Sequence, residues 1–160
     1  MRKLVKIAAG LCAAVGIAST VQAGTATANL GVSASVAATC TITTSAVAFG
    51  TYTGSQVDAT GSVTAKCITG TAWTIGLGTG TGPDATTSNR KMSSGANTLG
   101  YSLYSDSTRA TNWGNAIGTD TVAGIGTGAS QNQTVYGRIP GGTVTATGNY
   151  SDTVVATINF

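Results

Sequence analysis

The chain has 160 residues, with eight Lys or Arg, five acidic residues that are all Asp, no His, and a formal net charge of +3. Charged residues are 8% of the total, far below the roughly 25% of typical soluble domains. Disorder usually needs high charge and low hydrophobicity, whereas this composition is rich in Val and Thr, which favour strands.

The first segment reads as a leader rather than as structure. Arg2, Lys3 and Lys6 form a basic stretch. Residues 7–18 are an uncharged, mostly apolar run, too short to span a bilayer. Val21-Gln22-Ala23 then supplies small residues at the −3 and −1 positions of a cleavage site, so the pattern predicts a secretory signal cut after Ala23. A lipoprotein signal at Cys12 would need a small residue before it, and Leu11 stands there. Removing residues 1–23 takes three basic residues and leaves Lys66, Arg90, Lys91, Arg109 and Arg138 against Asp58, Asp84, Asp106, Asp120 and Asp152. The mature charge is zero, with no basic cluster longer than Arg90-Lys91. That balance argues against a nucleic-acid or membrane-surface partner and suits a chain that self-associates.

Residues 25–39 carry the strongest pattern. Ala26, Ala28, Leu30, Val32, Ala34, Val36 and Ala38 occupy every second position, and the positions between them are polar or small. A period of two predicts a strand with one apolar face. Its 15 residues exceed the usual strand of about 5–6 and would span roughly 50 Å. At the start of a mature chain, such a strand is a liability unless something receives it.

Beyond it, residues 40–43 continue extended, 47–52 form a short strand before a Gly54-Ser55 turn, and 62–68 alternate with Val63, Ala65 and Cys67 on one face. Residues 72–77 place Trp73, Ile75 and Leu77 together. A Gly/Thr/Ser loop over 78–89 leads to a brief extended piece at 90–92. Residues 99–104 align Leu99, Tyr101 and Leu103, and 105–114 are turn-like. The stretch to about 132 reads as loop. Residues 133–139 set Val135, Gly137 and Ile139 against Tyr136 and Arg138. The last strand, 150–160, shows Tyr150, Asp152, Val154, Ala156, Ile158 and Phe160 on one face, with no polar tail after Phe160. No segment has a sustained helical period. Many short strands separated by Gly-rich turns predict one all-β sandwich domain.

Two cysteines remain after cleavage, Cys40 and Cys67. In an exported chain an even pair reads as one disulfide. Two free thiols or a metal site are the alternatives, and a metal site lacks partners because the chain has neither His nor Glu.

The ordered set Cys40-Thr-Ile, Phe49-Gly-Thr-Tyr52, Cys67 with Trp73-Thr-Ile75, Asn89-Arg-Lys-Met92, Leu99-Gly-Tyr-Ser-Leu-Tyr-Ser-Asp106, Trp113-Gly114, Tyr136-Gly-Arg-Ile-Pro140 and Tyr150-Ser-Asp-Thr-Val154 through Phe160 resembles the spore coat protein U domain family, the subunits of archaic, Csu-type chaperone–usher pili. The resemblance covers essentially all of residues 25–160. It implies an incomplete immunoglobulin-like sandwich completed by a donor strand from a neighbouring subunit. With the signal peptide already read at 1–23, it implies a donor strand at 24–39 and a pilin domain at 40–160. It also implies head-to-tail assembly with identical or related subunits into a surface fimbrium for adhesion and biofilm formation, after export to the periplasm. A periplasmic chaperone and an outer-membrane usher are the implied partners, the chaperone facing Val154, Ala156, Ile158 and Phe160 of the last strand. No cofactor or metal is expected.

Other classes are weighed against this. An enzyme lacks a His base, and its five Asp residues are scattered, with Asp152 expected at a turn or sandwich edge. The runs Gly76-Leu-Gly-Thr-Gly80 and Gly124-Ile-Gly-Thr-Gly128 open no helix and fail as phosphate cradles. A tip adhesin could use Trp113, Tyr101 and Tyr104 as a binding surface, although aromatics at strand spacing usually pack a core. A coat or matrix protein of the same fold is the third alternative.

Overall fold

A computed structural model of the chain describes residues 21–143 and 145–160. The predicted n-region and apolar run of the leader lie outside the described residues. The chain divides between Ser35 and Val36, and each part is described by itself.

In the first part, residues 21–35 belong to no strand and are exposed throughout. Leu30 and Val32 are each 88% accessible. The long strand expected over 25–39 is therefore not formed as a paired element, and residues 36–39 are likewise outside any strand. Alternation gives a segment an apolar face, but a strand exists only where a neighbour supplies the ladder that pairs its backbone groups.

The second part is all-β, with no helix among the described residues. Its strands are β1 (Cys40–Ser45), β2 (Val57–Cys67), β3 (Ala72–Leu77), β4 (Arg90–Ser94), β5 (Asn97–Tyr104), β6 (Val122–Ile125), β7 (Ser130–Ile139) and β8 (Ala156–Asn159). They form a five-stranded sheet in the order β1-β2-β7-β5-β4 and a three-stranded sheet in the order β6-β3-β8, with every pairing antiparallel. Between them lies one core. The faces read from the sequence are the buried faces: Val63, Ala65 and Cys67 from β2, Trp73, Ile75 and Leu77 from β3, Leu99, Tyr101 and Leu103 from β5, and Val135 and Ile139 from β7. This is the sandwich logic of alternate residues pointing inward from two sheets.

Several boundaries differ from expectation. β2 begins at Val57 rather than 62, because its ladder with β7 runs from Val57↔Ile139 to Lys66↔Ser130. β6 falls inside a stretch read as loop; its four residues, Val-Ala-Gly-Ile, are too few for a period to show. Residues 47–52 form no strand, and only 156–159 of the expected last strand are paired as one. The first of these segments has no backbone partner among the described residues, and the second crosses from one sheet to the other.

Two side chains fix the thin second sheet. Trp113 is fully buried and its indole Nε1 donates to the Ile75 carbonyl at 2.9 Å. Arg90, also fully buried, donates to the carbonyls of Gly78, Thr87, Leu77 and Trp113. A buried cation is costly unless its donors are satisfied, and here carbonyl oxygens surround the guanidinium.

Candidate functional site

An open cleft of about 980 Å³ lies over the core. Its floor comes from Val63, Leu77, Leu99, Leu103, Val135 and Ile139, joined by Met92 and Tyr101. Two chain segments border it, residues 44–54 after β1 and residues 145–156 before β8. β1 is the outer strand of one sheet and β8 the outer strand of the other, so the cleft opens where both sheets have an unpaired edge.

The first border segment is unusual in how it is held. Residues 46–53 are in no strand, and among the described residues none of their backbone N–H or C=O groups has a hydrogen-bond partner. Side chains hold the segment instead. On the inward face of the larger sheet, Gly61 and Gly137 leave a hollow. A Cβ on Gly137 would stand 2.7 Å from both Phe49 Cζ and Val47 Cγ1, and one on Gly61 would stand 2.8 Å from Val47 Cγ2 and from the Ser45 carbonyl. Val47 and Phe49 fill that hollow because glycine is there. Phe49 also meets the Tyr101 ring edge-on, with centroids 6.0 Å apart. At the far end, Tyr52 Oη donates to the Pro140 carbonyl at 3.0 Å and accepts from the Thr143 N–H at 3.1 Å.

The second border segment changes sheets. Ser151 exchanges backbone hydrogen bonds with Ser93 of β4, whereas residues 156–159 pair with β3. The Gly78 N–H donates to the Val155 carbonyl at 2.9 Å as the chain crosses. A strand that leaves one sheet for the other has no continuous ladder, which is why the expected element over 150–160 is short. Its alternation persists as far as Ile158: Val154, Ala156 and Ile158 pack against the core and Val155 is 65% accessible, but Phe160, expected on the same face as Val154, is 59% accessible and lies outside the core. Val154 and Ala156 line the cleft; Ile158 and Phe160 do not.

Asp152 stands at the crossing, at a sandwich edge. Its Oδ1 accepts from the Thr81 N–H and hydroxyl at 2.7 and 2.8 Å and from the Thr153 N–H at 2.7 Å, and its Oδ2 accepts from Tyr101 Oη at 2.7 Å. Burial by itself raises the Asp152 pKa, but these donated hydrogen bonds outweigh it and hold the carboxyl below the ordinary carboxylate range. Burial, with the bond to Asp152, pushes the Tyr101 phenol well above its usual value. The pair is a fixed polar point in an otherwise apolar wall. Sequence reasoning placed Tyr101 on an inward face but gave no sign that its hydroxyl reaches Asp152, 51 residues away.

The remaining residues singled out from sequence divide as follows. Cys40 and Cys67 are joined by a disulfide, with Cα atoms 4.1 Å apart across the β1–β2 ladder. Ala26, Ala28, Leu30, Val32, Ala34, Val36 and Ala38 are exposed and lie in no ladder. Trp113 and Tyr101 are core residues, so two of the three aromatics considered for a binding surface are unavailable for one.

This is a two-sheet, all-β domain with an unfilled strand position, similar in fold to a chaperone–usher pilus subunit. The chain belongs to the Spore Coat Protein U domain family, whose model matches residues 26–157. Protein U of Myxococcus xanthus is 39% identical over 160 residues, covering 89% of each chain. The crystal structure of the CsuC–CsuE chaperone–tip adhesion subunit pre-assembly complex, from the archaic chaperone–usher Csu pili of Acinetobacter baumannii, contains a chain that matches with a TM-score of 0.58 and 25% identity. That match covers 78% of this chain and 40% of the other, so the chain spans well under half the length of that structural relative.

Proposed function

We propose that this protein is the structural subunit of a surface pilus, polymerising by donor-strand exchange after secretion. Residues 24–39 of one subunit enter the cleft of the next. Their backbone pairs with the open border segments and the alternate side chains Leu30, Val32 and Val36 reach the apolar floor, the β-strand-addition mode of recognition. Before assembly a periplasmic chaperone occupies the same cleft and contacts the last strand at Val154, Ala156, Ile158 and Phe160, and an outer-membrane usher exchanges one occupant for the other. Head-to-tail repetition gives an open fibre rather than a ring, located at the cell surface and serving adhesion and biofilm formation. The observation that carries this reading is the stretch of eight residues, 46–53, with no backbone partner among the described residues, beside an apolar floor.

The energetics fit an assembly contact. Leu30, Val32 and Val36 are 81–88% accessible. At about 1.5–3 kcal/mol for each fully buried aliphatic side chain, the three together contribute roughly 5–8 kcal/mol, an upper figure because unfolded and free states bury some surface and association has its own cost.

The test uses the domain lacking residues 1–39, prepared as its chaperone complex, and a synthetic peptide of residues 24–39. The peptide should displace the chaperone and raise the thermal midpoint of the domain. A peptide with Leu30→Asp should do neither. Equal displacement by both peptides would overturn the donor assignment. A coat or matrix protein of the same family would use the same contact without an usher; fibre formation that persists in cells lacking the usher would favour that reading.

A further inference from the structure

We infer that the Cys40–Cys67 disulfide is a mechanical shunt, which carries fibre tension into the centre of the larger sheet and keeps it off the cleft. This rests on the donor-strand reading above. The argument follows the order of the chain. In a fibre, load enters each subunit through residues 24–39. The chain then runs directly into β1 and from β1 into residues 46–53, the border of the cleft. β1 is an edge strand, paired only to β2, in the register Cys40↔Cys67 through Ser45↔Ser62. Pulling outward at residue 39 loads that antiparallel ladder one rung at a time, from its Cys40 end. Once β1 had peeled away, the next segment to go would be 46–53, which has no ladder of its own and is held by Val47, Phe49 and Tyr52. Its departure would open the cleft and release the donor strand of the preceding subunit. Tension on one contact would thus undo the next.

The disulfide sits at the first rung of this path. Among the described residues one backbone hydrogen bond, from the Ile68 N–H to the Thr39 carbonyl at 3.1 Å, lies outside it. A covalent link there prevents the first rung from opening and passes the load to Cys67 at the end of β2. β2 is the better anchor: it has 11 residues and is paired on both sides, to β1 and along nearly its whole length to β7. The same bond anywhere else in the domain would shorten the unfolded loop but leave the edge free to peel.

The experiment is single-molecule pulling of the secreted subunit complexed with the 24–39 peptide. Load is applied to residue 24, the cleft is held through the tethered peptide, and the oxidised protein, the mildly reduced protein and a Cys40→Ser/Cys67→Ser variant are compared. Without load, all three should bind the peptide with similar affinity. Under load, loss of the disulfide should shorten the peptide's lifetime by about tenfold or more: ~10 pN acting over ~10 Å, roughly three rungs of ladder, accelerates rupture by about that factor. A cross-link at the other end of the ladder gives a second arm. In the Cys40→Ser/Cys67→Ser background, Ser45→Cys with Ser62→Cys, whose hydroxyls are 2.9 Å apart, should let β1 peel yet restore the lifetime by protecting residues 46–53. Equal lifetimes under load for oxidised and reduced protein would overturn the inference alone. So would failure of the relocated cross-link to restore the lifetime. Absence of peptide binding in every form without load would overturn the donor-strand reading and the shunt with it.

Discussion

The glycine hollow at Gly61 and Gly137 makes a prediction that separates assembly from folding. Gly137→Ala places a methyl group 2.7 Å from Phe49 Cζ and from Val47 Cγ1, closer than carbon atoms approach without one of them moving. β7 cannot retreat, since Gly137 pairs with Ala59 on one side and Leu103 on the other. The neighbour that yields is the border segment, which has no backbone bonds among the described residues over 46–53. Phe49 is half-buried, so expelling it forfeits at most about 1.5–3 kcal/mol of burial and about 0.5–1.5 kcal/mol of its edge-on contact with Tyr101. The loss falls on the segment that, in the proposed function, pairs with the incoming strand. Affinity for the 24–39 peptide should therefore drop by about two orders of magnitude, at 1.4 kcal/mol per tenfold. Titration of the peptide into the chaperone-free domain, by fluorescence of labelled peptide, measures this. The control is Gly100→Ala in β5, where a Cβ meets nothing nearer than the Asn89 Oδ1 at 3.6 Å; that variant should bind as the unaltered domain does. Wild-type affinity in Gly137→Ala, or an equal loss in Gly100→Ala, would refute the claim that these glycines seat the border of the cleft.

Leu30→Asp in the full-length subunit should abolish fibre yield while leaving the chaperone complex soluble, because a carboxylate in an apolar cleft is left unpaired; pelleted fibre from expressing cells measures it. Arg90→Ala should destabilise the domain by about 3–5 kcal/mol, since it leaves buried carbonyls without their donors; chemical denaturation of the chaperone-free domain reads this directly. Asp152→Asn should cost stability near neutral pH. The folded pKa of Asp152 lies below the ordinary 3.8, so its contribution is fully present above that value and disappears as pH falls through the folded pKa. The difference in thermal midpoint between the wild type and Asp152→Asn should accordingly be constant from neutral pH down to about 5 and narrow below about 4.

Much of this domain was legible in alternation alone. Val63, Ala65 and Cys67, or Leu99, Tyr101 and Leu103, face inward because a period of two admits no other common face, and the structure buries them all. Two kinds of feature were not legible. The first is pairing. Residues 47–52 and 150–155 have strand-like sequences, and whether they become strands depends on whether a neighbour exists, which no local pattern contains. The second is long-range polar contact. Arg90 falls in a brief extended piece next to Lys91, and nothing near it in sequence signals that Leu77, Gly78 and Trp113 carbonyls will converge on its guanidinium. Gly137 shares a face with Val135 and Ile139 in the sequence pattern, and the hollow it leaves is visible only once Phe49 lies across it.

These features share a physical origin. On the proposed function, a sandwich missing one strand must hold its shape before the strand arrives, with fewer ladder bonds than a complete fold would have. β3 illustrates the problem: it has only four paired positions with β6 and four with β8. The fold compensates with side chain-to-backbone bonds that do not depend on a partner. Trp113 Nε1 and the Arg90 guanidinium fasten the carbonyls of Ile75, Leu77 and Gly78, so the end of β3 is set from its own core side. Asp152 fastens the crossing segment to Thr81 and Tyr101, and the glycine hollow fastens residues 46–53. Over residues 46–53 the anchors are side chains, which leaves that backbone edge uncommitted, whereas the crossing segment also bonds through its backbone at Ser151 and Val155. An edge held by its own ladder would have nothing to offer an incoming strand, whereas an edge held by side chains is ordered and still unpaired. Pre-ordering of that kind lowers the entropic cost of strand addition without satisfying the groups that the added strand must satisfy.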